Sequence, residues 1–189
     1  NGDTVHGLTW PLITRSDGQK YGKSVDGAIW LDPNLTLPYE FHQYWLRVDD
    51  RDVRRFLMQL TLMSLEEIEA VVAEHEKSPE SRYGQQRIAD EITTLVHGQK
   101  AVSKSKLAAD ALFGTGELTP DMLMALEGIV PETPVERAIL GGEEALIDLL
   151  VRSELTASKS EARRLLKQGG VSVNREKRSS SQIDAAGLI

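Results

Sequence analysis

A chain of 189 residues with 22 Lys and Arg against 29 Asp and Glu carries a net charge of -7. That balance excludes a protein that holds nucleic acid by bulk positive charge, while leaving room for a local basic face. There is no cysteine, so disulfides and thiolate chemistry are excluded, and no apolar run approaches the roughly 20 residues of a membrane span. The four histidines, His6, His42, His75 and His97, do not pair at zinc-ligand spacing, so no protein-held metal is expected. Asn1-Gly2-Asp3-Thr4 reads as neither a signal peptide nor a natural start, which leads to the expectation of a fragment or a processed chain.

In chain order, residues 1–33 read as irregular and β-rich. An apolar segment runs from Leu8 to Thr14, a polar glycine-rich loop follows, and Ala28-Ile29-Trp30-Leu31 leads as a strand into Asp32-Pro33. Pro33 and Pro38 bracket a turn. From about Pro38 to Phe113 the pattern is helical. Asp49 or Asp50 is placed to cap a helix on which Val53, Phe56, Leu57 and Leu60 recur at 3.6-residue spacing. Ser64-Leu65-Glu66-Glu67 is a capping box, and Ile68, Val71 and Val72 form the buried stripe of the helix it opens. Ser78-Pro79-Glu80 predicts a helix with proline at its first position, running through Arg87, Ile88, Ile92, Leu95 and Val96 to Gly98. Ser103 to Leu112 predicts a shorter one. His97, at a helix end, reads as a capping or dipole-stabilised group, and Trp10, Trp30 and Trp45 as apolar anchors.

Residues 113–143 are punctuated by glycine and proline and predict a linker with a short helix from Asp121 to Glu127. Two helices follow, Ala145 to Ser153 and Ser158 to Gln168, then a Gly169-Gly170 stop and a strand at Val171-Ser172-Val173-Asn174.

Two constellations carry chemistry. The first is Asp17-Gly18-Gln19-Lys20-Tyr21-Gly22-Lys23-Ser24. Glycines allow close backbone approach to a ligand, and two lysines supply compact mobile charges for a polyphosphate. The same composition also suits an ordinary solvated loop. The second is Ser158-Lys159-Ser160-Glu161-Ala162-Arg163-Arg164-Leu165-Leu166-Lys167, followed by Gln168-Gly169-Gly170-Val171-Ser172-Val173-Asn174. From Arg152 to Arg178 the local net charge is +5 within a chain of -7. A basic helix ending in a Gly-Gly turn and a strand suits RNA phosphates. A solvated basic helix is the plainer alternative.

With the flanking Gly7-Leu8-Thr9-Trp10-Pro11-Leu12-Ile13-Thr14, Gly27-Ala28-Ile29-Trp30-Leu31-Asp32-Pro33 and Leu37-Pro38-Tyr39-Glu40-Phe41-His42-Gln43-Tyr44-Trp45-Leu46, nearly the whole chain resembles the bacterial-type tyrosyl-tRNA synthetases, which are class I aminoacyl-tRNA synthetases. Lys20-Tyr21-Gly22-Lys23-Ser24 looks like the local form of the KMSKS signature. Tyr21 and Gly22 depart from it, and an aromatic-Gly pair there is characteristic of tyrosyl enzymes. The basic segment resembles an S4-like RNA-binding module.

The resemblance implies ATP-dependent activation of L-tyrosine and transfer to tRNA-Tyr, with Mg2+ arriving on ATP. It implies that Lys20 and Lys23 stabilise the pyrophosphate, that Gly22 serves loop closure, that Ser24 has a secondary phosphate role, and that Leu12 and Ile13 meet the adenine through backbone. It places Lys159, Arg163, Arg164, Lys167, Asn174 and Arg175 on RNA. The expected fold is mainly α. Residues 1–35 are the end of a Rossmann-type catalytic domain, 36–115 a helical tRNA-binding domain, 116–143 a linker and 144–189 an S4-like domain. That last module is expected to be incomplete, since the family continues into further strands beyond Gly187-Leu188-Ile189. No G-x-G-x-x-G or HIGH-like motif occurs. The tyrosine pocket and most of the dimer interface would lie upstream, so this chain alone is expected not to activate tyrosine. The full-length family enzyme is a homodimer with no membrane role, bacterial cytoplasmic or alternatively organellar. A non-catalytic S4-like RNA-binding module is the competing reading.

Overall fold

The computed structural model describes residues 4–9, 12–14, 16, 18 and 29–183. Helix predominates, and the chain divides into two units, residues 1–106 and 107–189.

In the first unit, α1 (Pro38–Trp45) starts with Pro38 at its first position, and Glu40 reaches back to accept from the Leu37 N–H at 3.2 Å. Asp49 accepts from the Arg51 N–H and caps a short 3-10 turn at Asp50–Asp52, which leads into α2 (Val53–Leu60). Before α3 (Leu65–Lys77), the Ser64 hydroxyl accepts from the Glu67 N–H at 3.3 Å and Glu67 accepts from the Ser64 N–H at 2.8 Å. These bonds satisfy two orphan donors reciprocally. The backbone and hydroxyl hydrogen bonds from Ser64 also hold the Glu67 carboxyl below its ordinary value. The central α4 (Tyr83–His97) packs on α1, α2 and α3. Gly84 permits that approach, since a Cβ there would meet Val53 Cγ1 at 2.6 Å and the His75 ring at 3.1 Å. Phe41, Trp45, Val53, Phe56, Leu57, Ile68, Val71, Ile88 and Ile92 form the core, with Ile13 and Ile29 packed against it. Buried Gln85 donates to the Val48 carbonyl at 3.1 Å, supplying a partner that a buried carbonyl requires.

Several sequence expectations change here. Among the described residues of 4–33 no strand forms, and Thr14 makes one isolated β-bridge. Leu8 and Leu12 are 95% and 70% exposed, and an extended segment becomes a strand only where another strand takes its backbone hydrogen bonds. Trp30–Pro33 forms no strand, and the chain turns at Asp32–Leu35. The Asp32 carbonyl accepts from the N–H groups of Leu35 and Thr36, and its carboxylate accepts from the Asn34 N–H at 2.9 Å. Asp-Pro-Asn favours that geometry. Trp30 is exposed and Trp45 buried, while Trp10 lies outside the described residues. Pro79 opens only a 3-10 turn, Pro79–Ser81. Arg82 then adopts φ 55°, a left-handed residue that cannot continue a helix, so α4 begins after it. At the other end Gly98, at φ 84°, closes α4. The next helix, α5 (Gln99–Phe113), starts directly after Gly98, earlier than the Ser103 that sequence suggested.

In the second unit, Thr119 caps α6 (Pro120–Ala125) by accepting from the Met122 N–H. A 3-10 turn at Arg137–Gly141 precedes α7 (Ala145–Arg152). Ser158 caps α8 (Lys159–Lys167) by accepting from the Glu161 N–H at 3.2 Å, while Glu161 accepts from Ala157 rather than Ser158. The Gly170 N–H bonds to Leu165 O and the Gly169 N–H to Leu166 O, with Gly169 at φ 68°. This is a Schellman stop. A hairpin of β1 (Ser172–Val173) and β2 (Glu176–Lys177) follows, antiparallel with Ser172 opposite Lys177. Its turn residues Asn174 and Arg175 have φ 51° and 67°, the type I′ pattern that suits strand twist. Ala145, Leu146, Ile147, Leu150, Ala162, Leu166, Val171 and Ile183 form this unit's core.

Candidate functional site

Lys20, Gly22, Lys23 and Ser24 lie outside the described residues. Gly18, at the head of that loop, has φ 81°. Of the residues assigned to the adenine, Leu12 is exposed and Ile13 packs on the first core. The backbone leading into the loop is tied to α2 and the turn before it. Asp52 Oδ2 accepts from the Ser16 N–H at 2.9 Å. Arg55 donates to the Thr14 carbonyl and to Asp52 Oδ1. Asp52 is 3% exposed, and a buried carboxylate is tolerable because it is both paired and hydrogen-bonded. Beyond the loop, the Trp30 N–H donates to Thr36 Oγ1 at 3.0 Å. Sequence reasoning missed Asp52 and Arg55. Their only signal was an acid and a base three residues apart where a helix begins.

On α8, Ala162 and Leu166 face the core. Lys159 and Arg163, one turn apart, flank that buried stripe on the side of α7. Lys159 Nζ lies 2.6 Å from Asp148 and 3.9 Å from Glu144. Arg163 Nη2 donates to both Glu144 carboxylate oxygens, at 2.7 and 2.8 Å. Arg164 has a 67% exposed side chain, with Glu161 at 3.9 Å, and Lys167 is exposed. Arg175, in the hairpin turn, donates to the carbonyls of Ala111 at 2.8 Å, of Asp110 and of Gly116. It thereby satisfies carbonyls at the end of α5. Asn174, beside it, is half-buried.

Burial raises the Asp90 carboxyl, but hydrogen bonds from His42 and Lys106 outweigh it and leave Asp90 below its ordinary value. His97 lies in the last turn of α4. Its ring sits edge-on to Phe41, centroids 4.8 Å apart, and burial pushes its pKa down. Among the described residues no group of three or more His, Asp or Glu could hold a metal, and no helix is long and apolar enough to cross a membrane.

Residues 1–114 match the class I tRNA synthetases (W and Y), and the chain belongs to that family. Residues 125–186 match the SYY-like C-terminal domain of tyrosine–tRNA ligases. A tyrosine–tRNA ligase of Streptomyces griseus is 45% identical over 93% of this chain and 41% of that protein. One of Acidothermus cellulolyticus is 40% identical over 100% of this chain and 45% of that protein. A truncated mitochondrial tyrosyl-tRNA synthetase structure from Coccidioides posadasii is 35% identical, covering 52% of this chain and 25% of its own, with a TM-score of 0.46. The chain thus spans less than half the length of the curated relatives it matches.

Proposed function

We propose that the chain is part of a tyrosine–tRNA ligase, which activates L-tyrosine with ATP and passes the tyrosyl group to tRNA-Tyr. The supporting observation is the order of the two matched regions, the synthetase family over 1–114 followed by the tyrosyl-type C-terminal domain over 125–186. In this reading residues 1–35 end the catalytic domain, 36–115 bind tRNA, 116–143 link, and 144–189 form an S4-like RNA-binding module. Lys20 and Lys23 carry the charge that develops on the leaving pyrophosphate, assisted by Gly22 and Ser24, while Leu12 and Ile13 border the adenine. Mg2+ comes bound to ATP, and the full-length enzyme works as a cytoplasmic homodimer. Cations of the 144–189 module that are not engaged within it take RNA phosphates. No acid–base pair is required, because the tyrosine carboxylate attacks the α-phosphate directly and the enzyme supplies position and charge.

The test is tyrosine-dependent pyrophosphate exchange by this chain joined to the N-terminal part of the Streptomyces griseus relative. Lys23→Ala is expected to lower kcat by a factor corresponding to about 2.7–4 kcal/mol, the loss typical of a transition-state donor. A change confined to the KM for tyrosine would contradict the role given to Lys23.

A further inference from the structure

The cations that sequence places on RNA do not stand alike. Lys159, Arg163, Glu144 and Asp148 form a quartet on the α7 side of α8, and its net charge is zero. Exposed ion pairs are individually weak, worth about 0–1 kcal/mol, so RNA could displace one. Doing so would leave two carboxylates facing its phosphates. Arg175 is committed to three carbonyls. Arg164 and Lys167 differ on each count. With Ser160 they fall at i, i+4 and i+7, a stripe on the side of α8 away from Ala162 and Leu166. One carboxylate, Glu161, stands near them, 3.9 Å from Arg164. Lys167 has no partner among the described residues. Side chains three apart on a helix have Cβ atoms about 5–6 Å from each other, so both can reach one RNA strand.

Resting on the RNA-binding reading above, we infer that Arg164 and Lys167 contact the RNA phosphates, while Lys159, Arg163 and Arg175 hold the module together. The stripe itself, Ser160, Arg164 and Lys167, is exposed and polar throughout, which favours a phosphate backbone over an apolar protein surface.

The test measures binding of a tRNA-Tyr transcript to the 1–189 chain by fluorescence anisotropy across a salt series. Arg164→Ala and Lys167→Ala are each expected to weaken binding about tenfold, the scale of a lost charge-assisted contact. Each should also lower the slope of log affinity against log salt by about one. Arg163→Gln is expected to keep RNA affinity and slope while lowering the urea midpoint, and Lys159→Gln gives the same reading should Arg163→Gln not fold. Losses at Lys159 or Arg163 equal to those at Arg164 and Lys167 would overturn this division while RNA binding stands. Displacement of the transcript by polyglutamate as readily as by unlabelled RNA would overturn the phosphate assignment and favour an acidic protein surface. No affinity in the unsubstituted chain would overturn the RNA reading itself, and the division with it.

Discussion

His97 shows how neighbours redefine a side chain. Its place in the last turn of α4 suggests a charged group answering the helix dipole. Its ring instead lies against Phe41, its Nε2 is buried without a partner, and burial depresses its pKa below the ordinary 6.5. The unfolded chain therefore binds this proton more readily than the folded one. Stability is undiminished above the unfolded pKa and falls as pH drops through it towards the lower folded value. His97→Phe keeps an edge-on ring and removes the titration. Its loss of stability between about pH 7 and 5, followed by urea unfolding, is expected to be smaller than that of the unsubstituted chain. Identical losses would show that His97 does not feel its burial. The charge pattern met a similar limit. A window from Arg152 to Arg178 carries +5, and moving its start to Glu143 reduces this to +2. Asp148 on α7 and Glu144 just before it lie outside the helix that carries the cations they neutralise, so only packing shows which cations remain available.

At the scale of elements, local chemistry was legible wherever a side chain bonds to nearby backbone. Ser64 with Glu67, Ser158, and the Gly169-Gly170 stop all behave as their sequence implies, because each motif closes within a few residues. What could not be read was conformation set from afar. Arg82 ends one turn and starts α4 only by adopting φ 55°, held there as its guanidinium reaches the Leu46 carbonyl 36 residues away. The extended segment before the lysine loop found no strand to join among the described residues. The Gly169-Gly170 pair provides a controlled test of the local reading. A Cβ at Gly169 meets nothing within 4 Å, but its φ is +68°. At Gly170 the nearest atom would be Leu165 O at 3.5 Å, an ordinary contact, and φ is not positive. Gly169→Ala should therefore cost about 1 kcal/mol, the penalty of a left-handed residue with a side chain, and Gly170→Ala much less. Urea unfolding followed by far-UV circular dichroism measures both. Equal costs would show that the stop does not depend on the left-handed turn.

At the scale of the molecule, two cores share the chain, and Ile13 and Ile29, from the first 33 residues, serve one of them. Ile13 and Ile29 pack on the first core, and Ser16 and Thr14 are tied to Asp52 and Arg55. None of these residues belongs to the cluster that holds α8. Residues 1–33 also carry only -1 of the chain's -7, so removing them barely changes the long-range field that RNA meets. Deleting residues 1–33 is expected to lower the stability of the 1–106 unit, by uncovering its core and by removing the Ser16 N–H that donates to buried Asp52. Affinity for a tRNA-Tyr transcript should stay within about twofold, the scatter expected of independent sites. The basic residues lost are Arg15, Lys20 and Lys23. A fall of about tenfold or more, the worth of a charge-assisted contact, would therefore move phosphate binding onto the lysine loop. The helical and S4-like regions would then no longer account for the affinity.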